Sequence, residues 1–170
     1  RLLLINSPLN PCGTVIGKEQ LRDITVAVVE ENTRRQKAKA RPLYFLYDQV
    51  YWALTFGAAK HHTPVELVPE AAPYTILLDA ISKVFCATGL RVGFGVMPPA
   101  VRKRMADLLG HVGAWAPKAE QVAVARLLDR PEVIRPFLTK MKGAVKSRLD
   151  ALYQGLQAMK AEGLPVTCDV

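Results

Sequence analysis

Four short segments of the sequence carry the polar side chains that could do chemistry. They span residues 7–13, 46–51, 82–83 and 89–93. Their chemistry-bearing members are an amide, a carboxylate, a phenol, a primary amine and a guanidinium, in Asn10, Asp48, Tyr51, Lys83 and Arg91. A primary amine can form a reversible imine with an aldehyde, and a guanidinium can bind a phosphate through two parallel hydrogen bonds. Each residue alone is weak evidence, because a loop lysine is usually solvated and an aspartate after a strand often caps a turn.

Several other kinds of site are excluded by the sequence. It contains neither a phosphate-binding P-loop nor a dinucleotide-binding glycine pattern, and it lacks the Gly-x-Ser-x-Gly nucleophile turn. His61 and His62 are adjacent, so their side chains would diverge on a helix or a strand, and no further ligand stands at a zinc-like spacing. We therefore expect a pair of surface loop histidines and no metal site.

The elements that must position the chemical groups alternate between strands and helices. Apolar runs predict strands at residues 2–5, 43–47, 75–78 and 92–97, the first two buried on both faces. Helical spacing predicts helices from Lys18 into the basic stretch before Pro42, from Pro98 onward, and over 118–128 and 132–162. This alternation predicts an α/β fold, three α/β/α layers with a mostly parallel sheet, and ligands outside the carboxyl ends of the strands, where Asn10 and Asp48 fall.

Composition and charge favour a globular, intracellular protein. The 170 residues are 50% hydrophobic, which suits one domain or part of a larger one. Cys12, Cys86 and Cys168 are odd in number and far apart, which is typical of a reducing compartment. The net charge of +8 is spread over separate helical segments, so we interpret it as solvated helix faces and expect neither nucleic acid nor membrane as a partner. The start and end of the chain lead us to expect a segment of a longer protein, with the fold incomplete at both ends.

The order and spacing of the four segments resemble those of the class I/II aminotransferases, which are fold-type-I enzymes that use pyridoxal phosphate. The resemblance runs from the first strand to the long helix. It implies that residues 1–130 are part of the large cofactor-binding domain, that 131–162 form a long connecting helix, and that 163–170 begin a small C-terminal domain.

The same resemblance implies two catalytic residues. Lys83, followed two residues later by Phe85, matches the family's lysine, which forms a Schiff base with the cofactor aldehyde and later moves a proton. Asp48 matches the aspartate beside the pyridine nitrogen, where a carboxylate keeps that nitrogen protonated. The resemblance requires the Lys83 amine and the Asp48 carboxylate to face each other across the cofactor ring.

Four further cofactor contacts are implied. Asn10 and Tyr51 match the residues that hydrogen-bond the phenolic oxygen, and Asn10 also matches a contact to the substrate carboxylate. Arg91 matches the arginine that binds the phosphate, and the neighbouring hydroxyl of Ser82 could add a donor.

Two positions depart from the family pattern. Cys12 stands where threonine is usual, and Ala80 stands where many members have a phosphate-binding serine. Phosphate binding therefore depends on Arg91, on Ser82 and on groups outside this segment.

The function implied is exchange of an amino group between an amino acid and a 2-oxo acid, in a cytoplasmic homodimer whose active sites lie at the subunit interface. The segment alone would be inactive. Two alternatives share the cofactor motifs, a lyase or decarboxylase on the same fold and an aminotransferase-like sensor domain of a transcription regulator. The sequence does not identify the amino donor.

Overall fold

The computed structural model describes residues 1–167, which fold into two compact units, the first comprising residues 1–127 and the second beginning at Leu128. Its strands are β1 Leu2–Asn6, β2 Tyr44–Asp48, β3 Thr75–Ala80 and β4 Gly93–Val96. Its helices are α1 Lys18–Lys37, α2 Pro64–Leu67, α3 Ile81–Val84, α4 Pro99–Val112, α5 Lys118–Leu128 and α6 Pro131–Ala161. Short 3₁₀ turns span Pro69–Tyr74 and Thr88–Leu90. The last three residues of the expected C-terminal segment 163–170, Cys168 among them, lie outside the described residues.

The sheet is mixed and has the strand order β1-β2-β3-β4. The first three strands are parallel, as expected, and α1 forms the crossover between β1 and β2. β4 runs antiparallel to β3, because α3 and the turn after it stay beyond the carboxyl end of β3 and the chain re-enters the sheet from that end. The fold is thus of the α/β class, with helices packed on a mostly parallel sheet.

Helix α1 packs one face against the sheet. Its buried positions recur at steps of three and four, which places them on one side of the helix: Leu21, Thr25, Val28, Asn32 and Arg35. Leu21 and Val28 form a core with Phe45 and Tyr47 of β2. Burying side chains of this size contributes about 1.5–3 kcal/mol each.

Two polar side chains fix the end of α1 to the start of β2. Asn32 donates to the carbonyl oxygens of Val28 and Leu43 and accepts from the Leu43 N–H, each at 2.9 Å. Arg35 is only 8% exposed, pairs with Glu31 at 2.7 Å and donates to the Arg41 carbonyl oxygen at 3.0 Å. The expectation that the basic residues at this end all lie on a solvated face is therefore wrong for Arg35.

Strand β1 alternates between a buried and an exposed face. Leu3 and Ile5 pack on the core beneath α1, whereas Leu2 and Leu4 are 55% and 62% exposed. The expectation of burial on both faces is wrong for β1, because α1 covers only the side on which Leu3 and Ile5 lie.

The second unit is dominated by the 31-residue helix α6. It begins at Pro131, a favoured first position of a helix, and its bounds match the expected 132–162 to within one residue. Among the described residues, no helix combines the length and the apolar character that crossing a bilayer demands.

Candidate active site

The carboxyl ends of β1 and β2 are joined by hydrogen bonds that shape the turn after β1. Asn6 and Asp48 are in register, and Asn6 Nδ2 donates to the Asp48 carbonyl oxygen at 3.0 Å. The Ser7 N–H donates to that oxygen as well, also at 3.0 Å. Asn6 Oδ1 accepts the Asn10 N–H at 3.1 Å. The turn that contains Asn10 is thereby fixed to the end of β2, and the Ser7-Pro8 and Asn10-Pro11 peptide bonds within it are cis.

Three of the residues expected at the site come together from three separate segments. Asn10 Nδ2 donates to Tyr51 Oη at 3.1 Å. Lys83 Nζ lies over the Tyr51 ring, 5.9 Å from its centroid, which is within the range of a cation–π contact. An amide, a phenol and a primary amine thus meet at the carboxyl end of the sheet.

Asp48 lies at the end of β2 and caps the turn that leads to Tyr51. Its Oδ1 accepts the Val50 N–H at 3.1 Å, and the side chain is half-buried. Asp48 therefore has the turn-capping role that an aspartate after a strand commonly has. A carboxylate has two oxygens and about four lone-pair sites, so this hydrogen bond leaves acceptor capacity for a ligand.

The short helix α3 presents Lys83. Its Ile81 and Val84 are buried, and Ile81 packs in a small core with Val92 and Val124. Lys83 lies between these two buried residues of α3 in the sequence and is exposed, while its neighbour Ser82 is half-buried. Apolar anchoring on both sides of the lysine thus holds α3 in place.

Arg91 is exposed and lies within the connection from β3 to β4. Its backbone is left-handed, with φ of 56°, and its Nη1 donates to the Thr88 carbonyl oxygen at 2.9 Å. Ser82 lies on the same connection. Their role in phosphate binding stays a prediction.

A small cavity of about 250 Å³ adjoins the Asn10–Tyr51 pair. Its lining consists of Pro8, Leu9, Asn10, Pro11, Gly13, Tyr51 and Leu54. Gly13 closes the turn with φ of +72°, a conformation that glycine adopts without strain. The cavity places apolar surface next to the two hydrogen-bonding side chains.

Sequence reasoning missed a polar cluster beside Asp48. Asp79 of β3 interacts with the side-chain donor groups of Gln49 and Trp52, and its Oδ1 accepts the Ala80 N–H at 2.7 Å. Burial raises the pKa of the Asp79 carboxyl, the charge of Asp48 acts in the same direction, and the hydrogen bonds oppose both. The available signal was an aspartate within the apolar run of β3.

His61 extends this cluster and corrects the expectation of two surface histidines. Its ring stacks on Tyr47 with centroids 5.9 Å apart, and its Nε2 lies 3.4 Å from Gln49 Oε1. Burial lowers the pKa of His61, and the neighbouring His62 lowers it further. His62 is also mostly covered and pairs with Glu66 at 3.3 Å. The two side chains do diverge, but His61 packs into the protein because the Tyr47 ring offers it an apolar face.

The chain matches the family model "Aminotransferase class I and II" over residues 1–169, so it belongs to the class I and II aminotransferases. These enzymes use pyridoxal phosphate as their cofactor.

Individual relatives are similar to the chain over nearly its whole length. It is 28% identical over 159 residues to the aspartate aminotransferase of Bacillus sp. (strain YM-2), a match that covers 94% of this chain and 37% of the relative. The structure of the aspartate aminotransferase from Thermus thermophilus with maleate superposes with a TM-score of 0.82 at 28% identity, covering 94% of this chain and 38% of that one. The aromatic aminotransferase from Pyrococcus horikoshii OT3 gives 0.81 at 28% identity, covering 94% and 39%. The chain therefore spans less than half the length of these relatives.

Proposed function

We propose that the protein containing this chain is a pyridoxal-phosphate-dependent aminotransferase that exchanges an amino group between an amino acid and a 2-oxo acid. The observation that carries the proposal is the meeting of Asn10, Tyr51 and Lys83, at 3.1 Å and 5.9 Å, at the carboxyl end of the sheet. Family membership supports the same reaction class. The names of the relatives refer to different amino acids, aspartate and aromatic among them. We therefore propose the class of reaction and no particular amino donor.

The donor set of the site fits the functional groups of the cofactor. Pyridoxal phosphate carries an aldehyde, a pyridine nitrogen, a phenolic oxygen and a phosphate, and when bound it supplies an electron sink for bond breaking at the amino acid's α-carbon. The chain offers an amine, a carboxylate, an amide–phenol pair and a guanidinium on adjacent segments: Lys83, Asp48, Asn10 with Tyr51, and Arg91. Each cofactor group thus has a chemically complementary residue.

Lys83 and Asp48 would do the catalytic work. Lys83 would hold the cofactor through its Nζ and, once released by the substrate amine, take up and return the α-proton at that atom. Asp48 would accept a hydrogen bond from the protonated pyridine nitrogen and keep that proton in place. Its capping bond from Val50 fixes the carboxylate orientation before any ligand binds.

Asn10, Tyr51, Ser82 and Arg91 would bind and orient the cofactor. The Tyr51 hydroxyl accepts from Asn10 Nδ2, so its own O–H is available to donate to the phenolic oxygen. Arg91 would exchange its hydrogen bond to the Thr88 carbonyl oxygen for a paired contact with the phosphate, and Ser82 would add a hydroxyl donor.

We further propose a cytoplasmic homodimer in which residues 1–130 belong to the large domain, 131–162 form the connecting helix and 163–170 begin the small domain. The half-buried, apolar and aromatic stretch around Tyr51 and Trp52 suits a subunit contact, and the exposed Cys12 and Cys86 suit a reducing compartment. Sedimentation of the full-length protein should give twice the monomer mass, and a monomer at micromolar concentration would contradict the dimer.

Covalent labelling tests the proposal directly. Full-length protein incubated with pyridoxal phosphate and reduced with borohydride should carry one pyridoxyl group, and peptide mass spectrometry should find it on Lys83. A matched Lys60→Ala control removes another exposed lysine and should leave the label unchanged. A label on another lysine, or none, would refute the assignment.

Single half-reactions separate a transaminase from the alternatives on the same fold. An amino acid added without any 2-oxo acid should convert the bound aldehyde form to the amine form in a one-to-one ratio. Carbon dioxide or side-chain fragments released over many turnovers would instead indicate a decarboxylase or lyase. No conversion at all would favour a sensor domain.

A further inference from the structure

A carboxylate on β3 lies between the two segments that carry the proposed catalytic groups. Asp79 is four residues before Lys83 in the chain. Its side chain interacts with the side-chain donor groups of Gln49 and Trp52, which lie on either side of Tyr51 in the turn that begins at Asp48. Asp79 therefore contacts both sides of the proposed site without belonging to the set that would touch the cofactor.

The donors around Asp79 are matched to an acceptor. Trp52 has only its indole N–H to offer, and the Ala80 N–H donates to Oδ1 at 2.7 Å. Gln49 Oε1 lies 3.4 Å from His61 Nε2, which leaves the NH₂ group of Gln49 for Asp79. An ionised carboxylate, which only accepts, suits all three donors at once.

The backbone reinforces the same connection. The Gln49 N–H donates to the carbonyl oxygen of Leu78, the residue before Asp79, at 3.0 Å, and the Trp52 N–H donates to the Gln49 carbonyl oxygen at 2.8 Å. The turn after β2 is thus attached to β3 through both main chain and side chains, and the side-chain part converges on Asp79.

We propose that Asp79 is a positioning residue that, through Gln49 and Trp52, fixes the turn carrying Asp48 and Tyr51 relative to the strand that leads to Lys83. This inference rests on the proposed function. Asp79 sets where the acidic and phenolic groups stand with respect to the amine, and so sets how firmly the cofactor is held. His61 supports this arrangement, because the contact of its Nε2 with Gln49 Oε1 orients the Gln49 amide.

The charged and polar groups around Asp79 make its interaction with Gln49 sensitive to substitution at either position. Asp48 is the other carboxylate acting on it, and His61 lies beyond Gln49. Burial raises the pKa of Asp79, and the three N–H donors favour its charged form. An amide at position 79 would set its NH₂ against the NH₂ of Gln49, and a carboxylate at position 49 would face the carboxylate of Asp79.

A reciprocal exchange of the two side chains tests the pairing. Asp79→Asn and Gln49→Glu should each weaken cofactor binding by the full-length protein about tenfold, the usual effect of leaving one buried polar group unpaired. The double variant with both substitutions restores one donor and one acceptor, so its Kd should return to within about threefold of the wild type. Asp107→Asn, which removes an exposed carboxylate on α4, is the matched control and should change nothing.

The readouts distinguish positioning from mere stability. In cofactor-free protein, each single variant should lower Tm and the double variant should recover it. In cofactor-loaded protein, the pH midpoint of the cofactor's visible absorption should shift in both single variants and return in the double variant. Two results would overturn the proposal. The first is that the double variant recovers Tm while the single variants keep the wild-type pH midpoint and the wild-type Kd for the cofactor. The second is that the double variant does not recover Tm at all.

The same design separates this inference from the function on which it rests. If the wild type takes no cofactor on Lys83, the proposed function fails, whatever the variants do. If the wild type is labelled on Lys83 and the single variants bind cofactor as the wild type does, only the role of Asp79 fails.

Discussion

The two halves of the candidate site are built differently. The half at the ends of β1 and β2 is held by hydrogen bonds between its own side chains and backbone, including Asn6 to Asp48 and Asn10 to Tyr51. The half on the connection from β3 to β4 leaves Lys83 and Arg91 exposed, and Arg91 contacts only its own loop through Thr88 among the described hydrogen bonds. This difference indicates that the chain preorganises the acid, amide and phenol. The amine and the guanidinium would acquire their partners from the cofactor.

Asp48 gives the largest expected effect, because it belongs to the preorganised half and, in the proposed function, would act on the electron sink itself. Asp48→Ala in the full-length protein should lower the rate of the amino-acid half-reaction about 10³-fold, the usual effect of losing one charged group aligned with developing charge. Borohydride should still label Lys83, since the amine is untouched. Stopped-flow absorbance measures the rate, and Asp107→Ala serves as the control. A rate within threefold of the wild type would contradict the role of Asp48.

Arg91 tests the half that depends on the cofactor. Removal of its guanidinium should weaken cofactor binding by about 10- to 100-fold, the range expected for lost charge-assisted hydrogen bonds. Arg91→Gly is the cleaner variant, because glycine tolerates the left-handed backbone with φ of 56°, whereas alanine would add a conformational cost. Equilibrium dialysis gives the Kd. The control is Arg102→Ala on α4, which should leave the Kd unchanged; alanine is used there because glycine would destabilise the helix. An unchanged Kd in Arg91→Gly would show that phosphate binding lies elsewhere.

The Asn10–Tyr51 pair tests whether the preorganised half acts as a unit. Asn10→Ala and Tyr51→Phe should each lower the half-reaction rate by about 5- to 10-fold, a typical effect for one neutral hydrogen bond. Because Asn10 Nδ2 donates to Tyr51 Oη, the double variant should lose less than the product of the two single effects. Tyr153→Phe on α6 is the matched control. Multiplicative losses would mean that the two side chains act independently.

The sequence predicted the parts of the molecule that depend on local pattern. The periodicity of α6 and the bounds of α5 needed only spacing, and the meeting of Asn10, Tyr51 and Lys83 followed from resemblance to a family of known fold. Burial was harder to predict, because it depends on what packs on a given face. The uninterrupted apolar run from Leu2 to Ile5 does not show that α1 covers only one side of β1. Likewise, Asp79 and His61 gain their partners, Gln49 and Tyr47, from strands and turns distant in sequence.

His61 gives the smallest expected effect. It tests the packing that supports the preorganised half, because His61 contacts Gln49 and Tyr47. Burial lowers its pKa below the ordinary 6.5, so the folded protein binds this proton less readily than the unfolded chain does. The resulting stability is present above about pH 6.5 and is lost as pH falls through the folded-state pKa. His61→Phe keeps a ring against Tyr47 but removes the titration, so its Tm should fall less between pH 7 and about pH 5 than that of the wild type, by a few degrees.

Asp79 contributes in the opposite sense, since its raised pKa disfavours the folded state as pH rises, but it is common to both proteins and largely cancels in the difference. Differential scanning fluorimetry across this range, with the exposed His111→Phe as control, makes the comparison, and parallel curves for wild type and His61→Phe would show that the ring is not buried as a neutral base.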